Sequence, residues 1–320
     1  MFVEERRHDR PRRQRRPGSI ASLTGELKGS GATFPNTFYQ EVVTQLKDEA
    51  KGLTATYNGI GSGAGKKEFG QGLTDFAGLD SLVKDTDGLA AGSFLYIPTG
   101  APPITVSYNL KGVDKLQLSA DTLAKIFQRQ IKVWSAPEIA TDNPGVTLPA
   151  TPITVAHRSD GSGTTSNFTK YLASASTLWK LGSGDSVAWA ADTQAGAKNT
   201  GVAQLIKAAD GAIGYVDLSD AKDSGLTFAA IKNKDGQFAL PTLEGATAAL
   251  AGAEVKDDLS YNPLNAAGAT SYPITAPTFI LVKPKYDDPK KAEFVKAFVK
   301  YILTDGKDLA GEVKLKLIRA

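Results

Sequence analysis

The sequence predicts an α/β protein of two domains, each a mainly parallel sheet flanked by helices. The first observation is that strand-like and helix-like stretches alternate along the chain after Gly31, which is typical of parallel strands joined by crossover helices. The second is the length of 320 residues, about twice that of a common single domain. The third is a pair of extended, proline-rich segments that lie far apart in the chain.

The first elements in the chain are predicted in the order helix, strand, helix, strand. The first helix opens at residues 33–35, because Pro35 suits a first turn, where a missing N–H loses no partner. Apolar residues then recur with a helical period, at Phe34, Phe38, Val42 and Leu46. A strand follows over residues 53–57, a second helix begins at Lys66, and the next strand covers Leu73 to Leu79. That strand delivers Asp80 at its carboxyl end.

The two proline-rich segments, Phe94 to Leu110 and Tyr272 to Pro284, bracket the centre of the chain. Between them the pattern predicts four stretches: a helix at 121–129, a strand at 153–156, a helix after Gly163, and a helix–strand pair at 202–218. The last predicted element is an amphipathic helix from Pro289 to Leu303.

The domain organisation follows from these two segments. In the most economical topology, residues 21–100 with 273–320 form domain I, and residues 101–272 form domain II. Two crossing strands then make a hinge, and hinged domains hold ligands in the cleft between them. One continuous sheet with ordinary connections is the alternative.

Composition excludes several classes of chemistry. The chain has no cysteine and only two histidines, His8 and His157, which excludes thiol catalysis and leaves little for a zinc site or a histidine relay. No run approaches the eighteen or so apolar residues of a membrane-spanning helix. These exclusions remove much enzyme chemistry, and we expect no metal and no cofactor.

The net charge of +3 is concentrated at the N-terminus. Residues 1–17 carry seven arginines against three acidic residues, which leaves −1 for the other 303 residues. Residues 1–20 are predicted to be a disordered basic leader or a non-native start. A signal peptide needs an apolar segment of about 7–15 residues, and none follows Arg16. No nucleic-acid surface is expected on the near-neutral body.

Three turns rich in glycine, serine and threonine precede helices, at residues 31–34, 59–65 and 158–165. A helix N-terminus offers unpaired N–H groups and about half a positive charge, which suits an anion. Glycine lets the backbone approach a ligand, and hydroxyl groups add donors. One such turn is usually a helix cap, but three in one chain, one of them carrying an arginine, favour an anion pocket.

Two charged residues indicate which anion. Arg158 supplies a permanent charge and a bidentate fork for an oxyanion, and Asp160 either holds that guanidinium or caps the next helix. Asp80 can accept a hydrogen bond from an anion that keeps a proton, but it repels a fully ionised one. Because phosphate carries a proton near neutral pH and sulfate does not, one carboxylate can reject sulfate. A role for Asp80 as a strand-end cap is the alternative.

Competing motifs fit less well. Residues 59–64 match a relaxed dinucleotide fingerprint, which leaves the loop at Arg158 without a role. A P-loop would need glycine at Ile60 and Ser or Thr at Lys67, and neither Ser62 nor Ser162 has the glycines of a nucleophile elbow. An enzyme acting on phosphate esters or a dinucleotide is therefore a weaker alternative, as is a binder of sulfate, molybdate or another oxyanion.

Three further residues are interpreted as ordinary. His157 is predicted to be packed against its neighbours or to support the site. Lys66 and Lys67 are interpreted as a solvated helix face.

The motifs closely resemble those of the phosphate-binding proteins that serve bacterial phosphate ABC transporters, within the two-domain periplasmic-binding-protein superfamily. The resemblance covers nearly all of residues 22–305. The segments that carry it are 31–35, 59–63, 75–80, 158–164 and 211–216. The stretches Ser-Asn-Phe-Thr-Lys-Tyr-Leu and Tyr-Asn-Pro-Leu-Asn are similar to those of actinobacterial members.

The resemblance implies a type II-like periplasmic-binding-protein fold whose two domains close on a two-strand hinge around phosphate. The phosphate-binding residues that it implies are Thr33, Phe34, Ser62, Asp80, Arg158, Ser162, Gly163 and Thr164. Asp80 would accept the phosphate proton, and Asp160 would steady Arg158. The resemblance further implies an extracytoplasmic monomer, periplasmic or on the cell surface. It would perform no chemistry and would deliver phosphate to the permease and ATPase complex of an ABC importer.

Three features depart from the family pattern. Leu79 precedes Asp80 where members usually carry a small hydroxyl residue, so a change in either the pocket wall or the support of Asp80 is expected. The chain shows neither the signal peptide nor the lipidated cysteine of exported members, so extracytoplasmic localisation is inferred from the family alone. The end, Gly311 to Ala320, stops early.

Overall fold

The computed structural model describes residues 22–304. The predicted leader at residues 1–20 and the segment Gly311 to Ala320 lie outside the described residues. Between residues 22 and 304, no helix is both long and apolar enough to cross a membrane.

The N-terminal part alternates strands and helices as predicted. Its elements are β1 (Thr24–Gly31), α1 (Asn36–Glu49), β2 (Gly52–Gly59), α2 (Ser62–Gly70), β3 (Phe76–Leu79) and β4 (Leu95–Gly100). β1 pairs in parallel with both β2 and β3. Helix α1 buries the apolar face that the period predicts, and Pro35 is its N-cap.

Two predicted boundaries in this part are wrong. Helix α2 begins at Ser62, not at Lys66, because Gly61 makes the turn with a φ of 95°. The next glycines are helical, and Gly65 lets α2 lie against β1: a Cβ there would come 2.4 Å from the Cα of Gly31. Strand β3 begins at Phe76, because the chain turns at Gly72 with a φ of 72° and Leu73 is exposed.

The central part contains a second set of strands and helices. Its elements are β5 (Ile104–Asn109), β6 (Gln117–Leu118), α3 (Ala120–Phe127), α4 (Pro137–Asp142), β7 (Thr154–Arg158), α5 (Gly163–Ala175), β8 (Gln194–Gly196), α6 (Lys198–Ala208), β9 (Ala212–Asp217), α7 (Leu218–Asp223), β10 (Thr227–Phe228), β11 (Ala230–Lys232), β12 (Phe238–Ala239) and α8 (Leu243–Ala251). The short strands β6, β11 and β12 form a small separate sheet.

The C-terminal part consists of β13 (Thr278–Val282) and α9 (Pro289–Leu303). Helix α9 has the predicted bounds and packs on the first sheet, where the Phe298 and Phe76 rings lie 4.5 Å apart. Strand β13 inserts between β3 and β4, antiparallel to both. The chain therefore returns to the sheet that it left after β4.

The strands form two larger sheets, each with its own core. The first has the order β2-β1-β3-β13-β4, and the second has the order β10-β5-β9-β7-β8. Each sheet combines parallel pairs with antiparallel ones, which in the second sheet join β5 to β9 and to β10. The core of the second sheet gathers around Trp134, Phe127 and Phe168. The predicted two-part α/β architecture is therefore confirmed.

Two segments cross between the sheets side by side. Pro103 forms an antiparallel bridge with Thr275. Next to it, the Ile104 N–H donates to the Ile274 carbonyl at 2.8 Å, and the Ala276 N–H donates to the Pro102 carbonyl at 3.0 Å. Adjacent crossing strands of this kind allow two rigid bodies to rotate about them without breaking either sheet.

Candidate anion-binding site

The site lies where loops from the two sheets meet. Strands β1, β2 and β3 end at the loops that carry Thr33, Ser62 and Asp80, and strand β7 ends at Arg158. The carboxyl ends of parallel strands are the edge at which such sheets bind ligands. The two sides touch directly, since the Gly63 N–H donates to the Gly161 carbonyl at 3.1 Å.

Arg158 reaches across this junction. Its side chain is buried, and its Nη1 donates to Thr33 Oγ1 at 3.1 Å on the side of the first sheet. The same nitrogen donates to Asn199 Oδ1 at 2.7 Å, and Nε and Nη2 donate to the two carboxylate oxygens of Asp160. A guanidinium held at three points is pre-organised, because little rotamer freedom remains to be lost on binding.

Asp160 holds Arg158 rather than capping α5. Burial raises the pKa of Asp160, but the hydrogen bonds and charge of Arg158 outweigh that effect and hold the pKa below its ordinary value. The cap of α5 is Ser162, whose hydroxyl accepts a hydrogen bond from the Thr165 N–H at 3.1 Å. Of the two roles predicted for Asp160, the structure therefore supports the ionic one.

Asp80 is the carboxyl group of the site. It is buried, and burial raises its pKa from 3.8 to about 8, although the Thr278 hydroxyl and the charge of Arg158 act in the opposite direction. Its Oδ1 has no hydrogen-bond partner among the described residues. A buried polar atom without a partner costs about 1–3 kcal/mol, so this oxygen indicates a ligand that donates to it.

The start of α5 faces the same place. Thr164 Oγ1 is also buried without a partner among residues 22–304. A Cβ added to Gly163 would lie 2.5 Å from Ser62 Oγ and 2.6 Å from the Asp80 Cβ. Ser62 in turn accepts a hydrogen bond from the Asp80 N–H at 3.2 Å. Residues 62, 80, 163 and 164 thus converge across the cleft.

The Phe34 side chain fixes the position of the backbone at the candidate site. Its ring is buried in the hydrophobic core of the second sheet, although Phe34 follows β1 of the first. The backbone between Thr33 and Phe34 is therefore held at the junction of the two sheets. An open groove of about 470 Å³ adjoins this point and is lined by Thr33, Asn199 and other polar residues.

Asn199 is a residue that the sequence analysis missed. It is buried; its side-chain oxygen accepts from Arg158, and its amide donates to Asp217 Oδ2 at 2.7 Å. It follows a further glycine-containing turn at residues 196–198, just inside α6. A glycine-containing turn directly before a helix is the feature shared by the three turns of the sequence analysis, and it is the signal that could have located Asn199.

His157, Lys66 and Leu79 can now be placed. His157 stacks on Trp189 with ring centroids 4.9 Å apart, a packed position as predicted, and burial lowers its pKa. Leu79 lies in the core of the first sheet with Phe279, so its side chain does not form the pocket wall, and an altered support of Asp80 stays a prediction. Lys66 is buried against two aspartates, so the solvated face predicted for it is wrong.

Gly163 provides a test of the contact across the cleft. Replacing it with alanine is expected to weaken anion binding at least about fivefold, because overpacking costs about 1–3 kcal/mol and the clash arises only when the two sides meet. The fold is expected to survive, since alanine favours a helix. Gly252→Ala, where an added Cβ meets nothing within 4 Å, is the control. Wild-type affinity in Gly163→Ala, measured by titration calorimetry, would contradict the close approach.

The fold and the candidate site together define a two-part α/β protein in which a buried arginine and a buried carboxyl group lie where the loops of the two sheets meet. A family model described as a PBP superfamily domain matches residues 18–306. The chain is 36% identical over 304 residues to "Phosphate-binding protein PstS" of Pasteurella multocida, covering 92% of this chain and 87% of that protein. It is also 36% identical over 299 residues to "Phosphate-binding protein PstS 2" of Mycobacterium tuberculosis, covering 88% and 80%. The chain belongs to the PBP superfamily and, within it, to the family of phosphate-binding proteins named PstS.

Solved structures agree on the fold. The high-affinity periplasmic phosphate-binding protein PfluDING, solved with phosphate bound, matches with a TM-score of 0.75 at 21% identity, over 92% of this chain and 91% of that one. An ABC-type phosphate transport receptor from Vibrio cholerae matches with a TM-score of 0.62 at 18% identity, over 91% and 100%. The predicted resemblance is confirmed, as is the prediction that the chain is a binding protein and not an enzyme.

Proposed function

We propose that this protein captures inorganic phosphate between two domains and delivers it to an ABC importer. Domain I comprises residues 21–100 and 273–320, domain II comprises residues 101–272, and the paired crossing segments are the hinge. The observation that carries the proposal is the convergence, at one helix start, of a fixed arginine with a buried carboxyl oxygen that has no hydrogen-bond partner between residues 22 and 304. Phosphate matches both, because it is an anion that also donates a hydrogen bond.

Each predicted residue has a role in this proposal. Arg158 pairs with the phosphate charge while Asp160 keeps it in place, and Asp80 Oδ1 accepts the phosphate proton. The remaining groups donate hydrogen bonds to the other oxygens: the hydroxyls of Thr33, Ser62, Ser162 and Thr164 and the backbone N–H groups of Thr33, Phe34, Gly163 and Thr164. The groove beside Thr33 and Asn199 is the path by which phosphate enters and leaves.

The partner and the location follow from the relatives. The proposed partner is the permease and ATPase complex of a phosphate ABC importer, and the proposed location is the periplasm or the cell surface. The protein would act as a monomer, since both sides of the cleft come from one chain.

Thermal unfolding tests the proposed ligand. Bound anion is first removed by unfolding, dialysis and refolding. Unfolding is then followed with phosphate, sulfate or chloride at equal ionic strength and at pH 9, where Asp80 is ionised. A ligand at about 1,000 times its dissociation constant adds about 4 kcal/mol of stability. Phosphate is therefore expected to raise the unfolding temperature by several degrees and sulfate far less. No shift with phosphate would contradict the proposed function.

A further inference from the structure

Lys66 is a buried cation that the proposed phosphate contacts do not use. Its side chain is 2% exposed, and its ammonium nitrogen lies 3.0 Å from Asp87 Oδ2 and 3.1 Å from Asp185 Oδ2. It also donates to the Leu82 carbonyl at 3.1 Å. These contacts match the three donors of an ammonium group, so the charge is fully engaged inside the protein.

The two aspartates lie on opposite sides of the cleft. Asp87 belongs to the proposed domain I, as Lys66 does, and Asp185 belongs to the loop between α5 and β8 of the proposed domain II. The Lys66–Asp87 pair therefore persists when the domains separate and keeps the ammonium in position. The Lys66–Asp185 pair, in contrast, exists only when the domains are together.

Asp185 is connected to the phosphate-binding end of α5. Its backbone carbonyl accepts a hydrogen bond from the Ser162 N–H at 2.9 Å, and the preceding Gly184 N–H donates to Thr169 Oγ1 of α5 at 3.2 Å. On the other side, Lys66 lies one turn along α2 from Ser62. The ion pair thus connects α2 to the loop that is hydrogen-bonded to the start of α5. The first residues of both helices are proposed to hold phosphate.

We propose that Lys66 and Asp185 form an interdomain clasp that sets how tightly the closed protein retains phosphate. The clasp rests on the proposed function and adds a contact that makes no use of the ligand. Because both partners are largely withdrawn from water, their attraction is stronger than that of an exposed ion pair, and separating the domains loses it. Removing Lys66 leaves the Asp185 carboxylate without its cation, and removing Asp185 leaves Lys66 with Asp87 as its one remaining carboxylate partner among the described residues. Both changes disfavour the closed form.

The test compares Lys66→Met, Asp185→Asn and the double variant with the wild type. Lys67→Met is the matched control, because Lys67 is the exposed neighbour on the same helix. Titration calorimetry with phosphate is expected to show each single variant binding at least about tenfold more weakly. The double variant is expected to bind phosphate no more weakly than the single variant with the lower affinity, since the two residues act as one pair. Small-angle scattering without phosphate is expected to show a larger radius of gyration in the single variants.

Several outcomes would overturn the clasp: unchanged affinity in both single variants, additive losses in the double variant, or an equal loss in Lys67→Met. If Lys66→Met does not fold, the near-isosteric Asp185→Asn decides. If the wild type does not bind phosphate, the proposed function fails and scattering alone decides: a larger radius of gyration in Asp185→Asn supports the clasp, and an unchanged one overturns it.

Discussion

Replacing Arg158 with methionine is expected to weaken phosphate binding by a factor of at least about 10². Hydrogen bonds to charged groups are worth about 1.5–3 kcal/mol each, and the arginine offers a fork that methionine lacks. The substitution also leaves Asp160 without the cation that now lowers its pKa, so a free carboxylate would face the incoming anion. Both effects weaken phosphate binding.

The matched control for this prediction is Arg129→Met. Arg129 also pairs with an aspartate, Asp192, and donates to the Ile153 carbonyl, but it takes no part in the proposed site. Ser162→Ala and Thr33→Val, which remove single hydroxyls, are expected to cost less, because neutral hydrogen bonds contribute about 0.5–1.5 kcal/mol. Calorimetric titration ranks the four variants. A loss in Arg158→Met no larger than that of a hydroxyl variant would refute its role as the main charge partner.

At pH 9, where Asp80 is ionised because its pKa is raised to about 8, replacing it with asparagine is expected to weaken phosphate binding and to relax the rejection of sulfate. The side-chain amide can donate to a fully ionised oxyanion, which a carboxylate cannot do. A site built to hydrogen-bond one group of its ligand rejects an analogue that lacks this group by about 10⁴-fold. The preference for phosphate over sulfate is therefore expected to fall by at least about 10². Competition titrations measure this ratio directly, and an unchanged ratio would eliminate Asp80 as the selecting group.

The raised pKa of Asp80 adds a dependence on pH. Below a pH of about 8 the carboxyl retains its proton and can donate to sulfate, whereas above it the carboxylate repels sulfate. The wild-type preference for phosphate is therefore expected to be greater at pH 9 than at pH 6, and that of Asp80→Asn to change little. Equal wild-type preferences at the two pH values would contradict the titration of Asp80.

The same pKa predicts a change in the stability of the ligand-free protein. The folded protein binds this proton more tightly than the unfolded chain does, so protonation of Asp80 contributes to the free energy of unfolding. That contribution is complete below the ordinary pKa of 3.8 and is lost as the pH rises through about 8. The unfolding temperature of Asp80→Asn, relative to the wild type, is thus expected to increase over this range.

The parts of the site that lie in local motifs could be predicted from the sequence. A turn that precedes a helix and contains glycine and hydroxyl residues fixes its own geometry, so Ser62, Ser162 and Thr164 can be singled out as candidates before the fold is known. Arg158 and Asp160 are two residues apart, and their pairing could therefore be anticipated, although capping remained an alternative.

The remaining features depend on contacts between distant parts of the chain. Asn199 reaches Arg158 only because α6 begins beside the end of β7, and the glycine-containing turn before α6 indicates a helix start without indicating this contact. Lys66 looks solvated because its neighbour is Lys67, yet its partner Asp185 is more than a hundred residues away. Leu79 was misjudged because its neighbour Asp80 belongs to the site, whereas its own side chain faces the core of the first sheet.

The most direct test of phosphate capture is calorimetric titration of the refolded, anion-free protein at pH 9, above the pKa of Asp80, with phosphate and, in a parallel experiment, with sulfate. Saturable one-to-one binding of phosphate with little response to sulfate is the predicted result. Absence of phosphate binding by a protein shown to be folded would contradict the proposed function. Equal binding of both anions would retain an anion cleft but contradict the selection by Asp80.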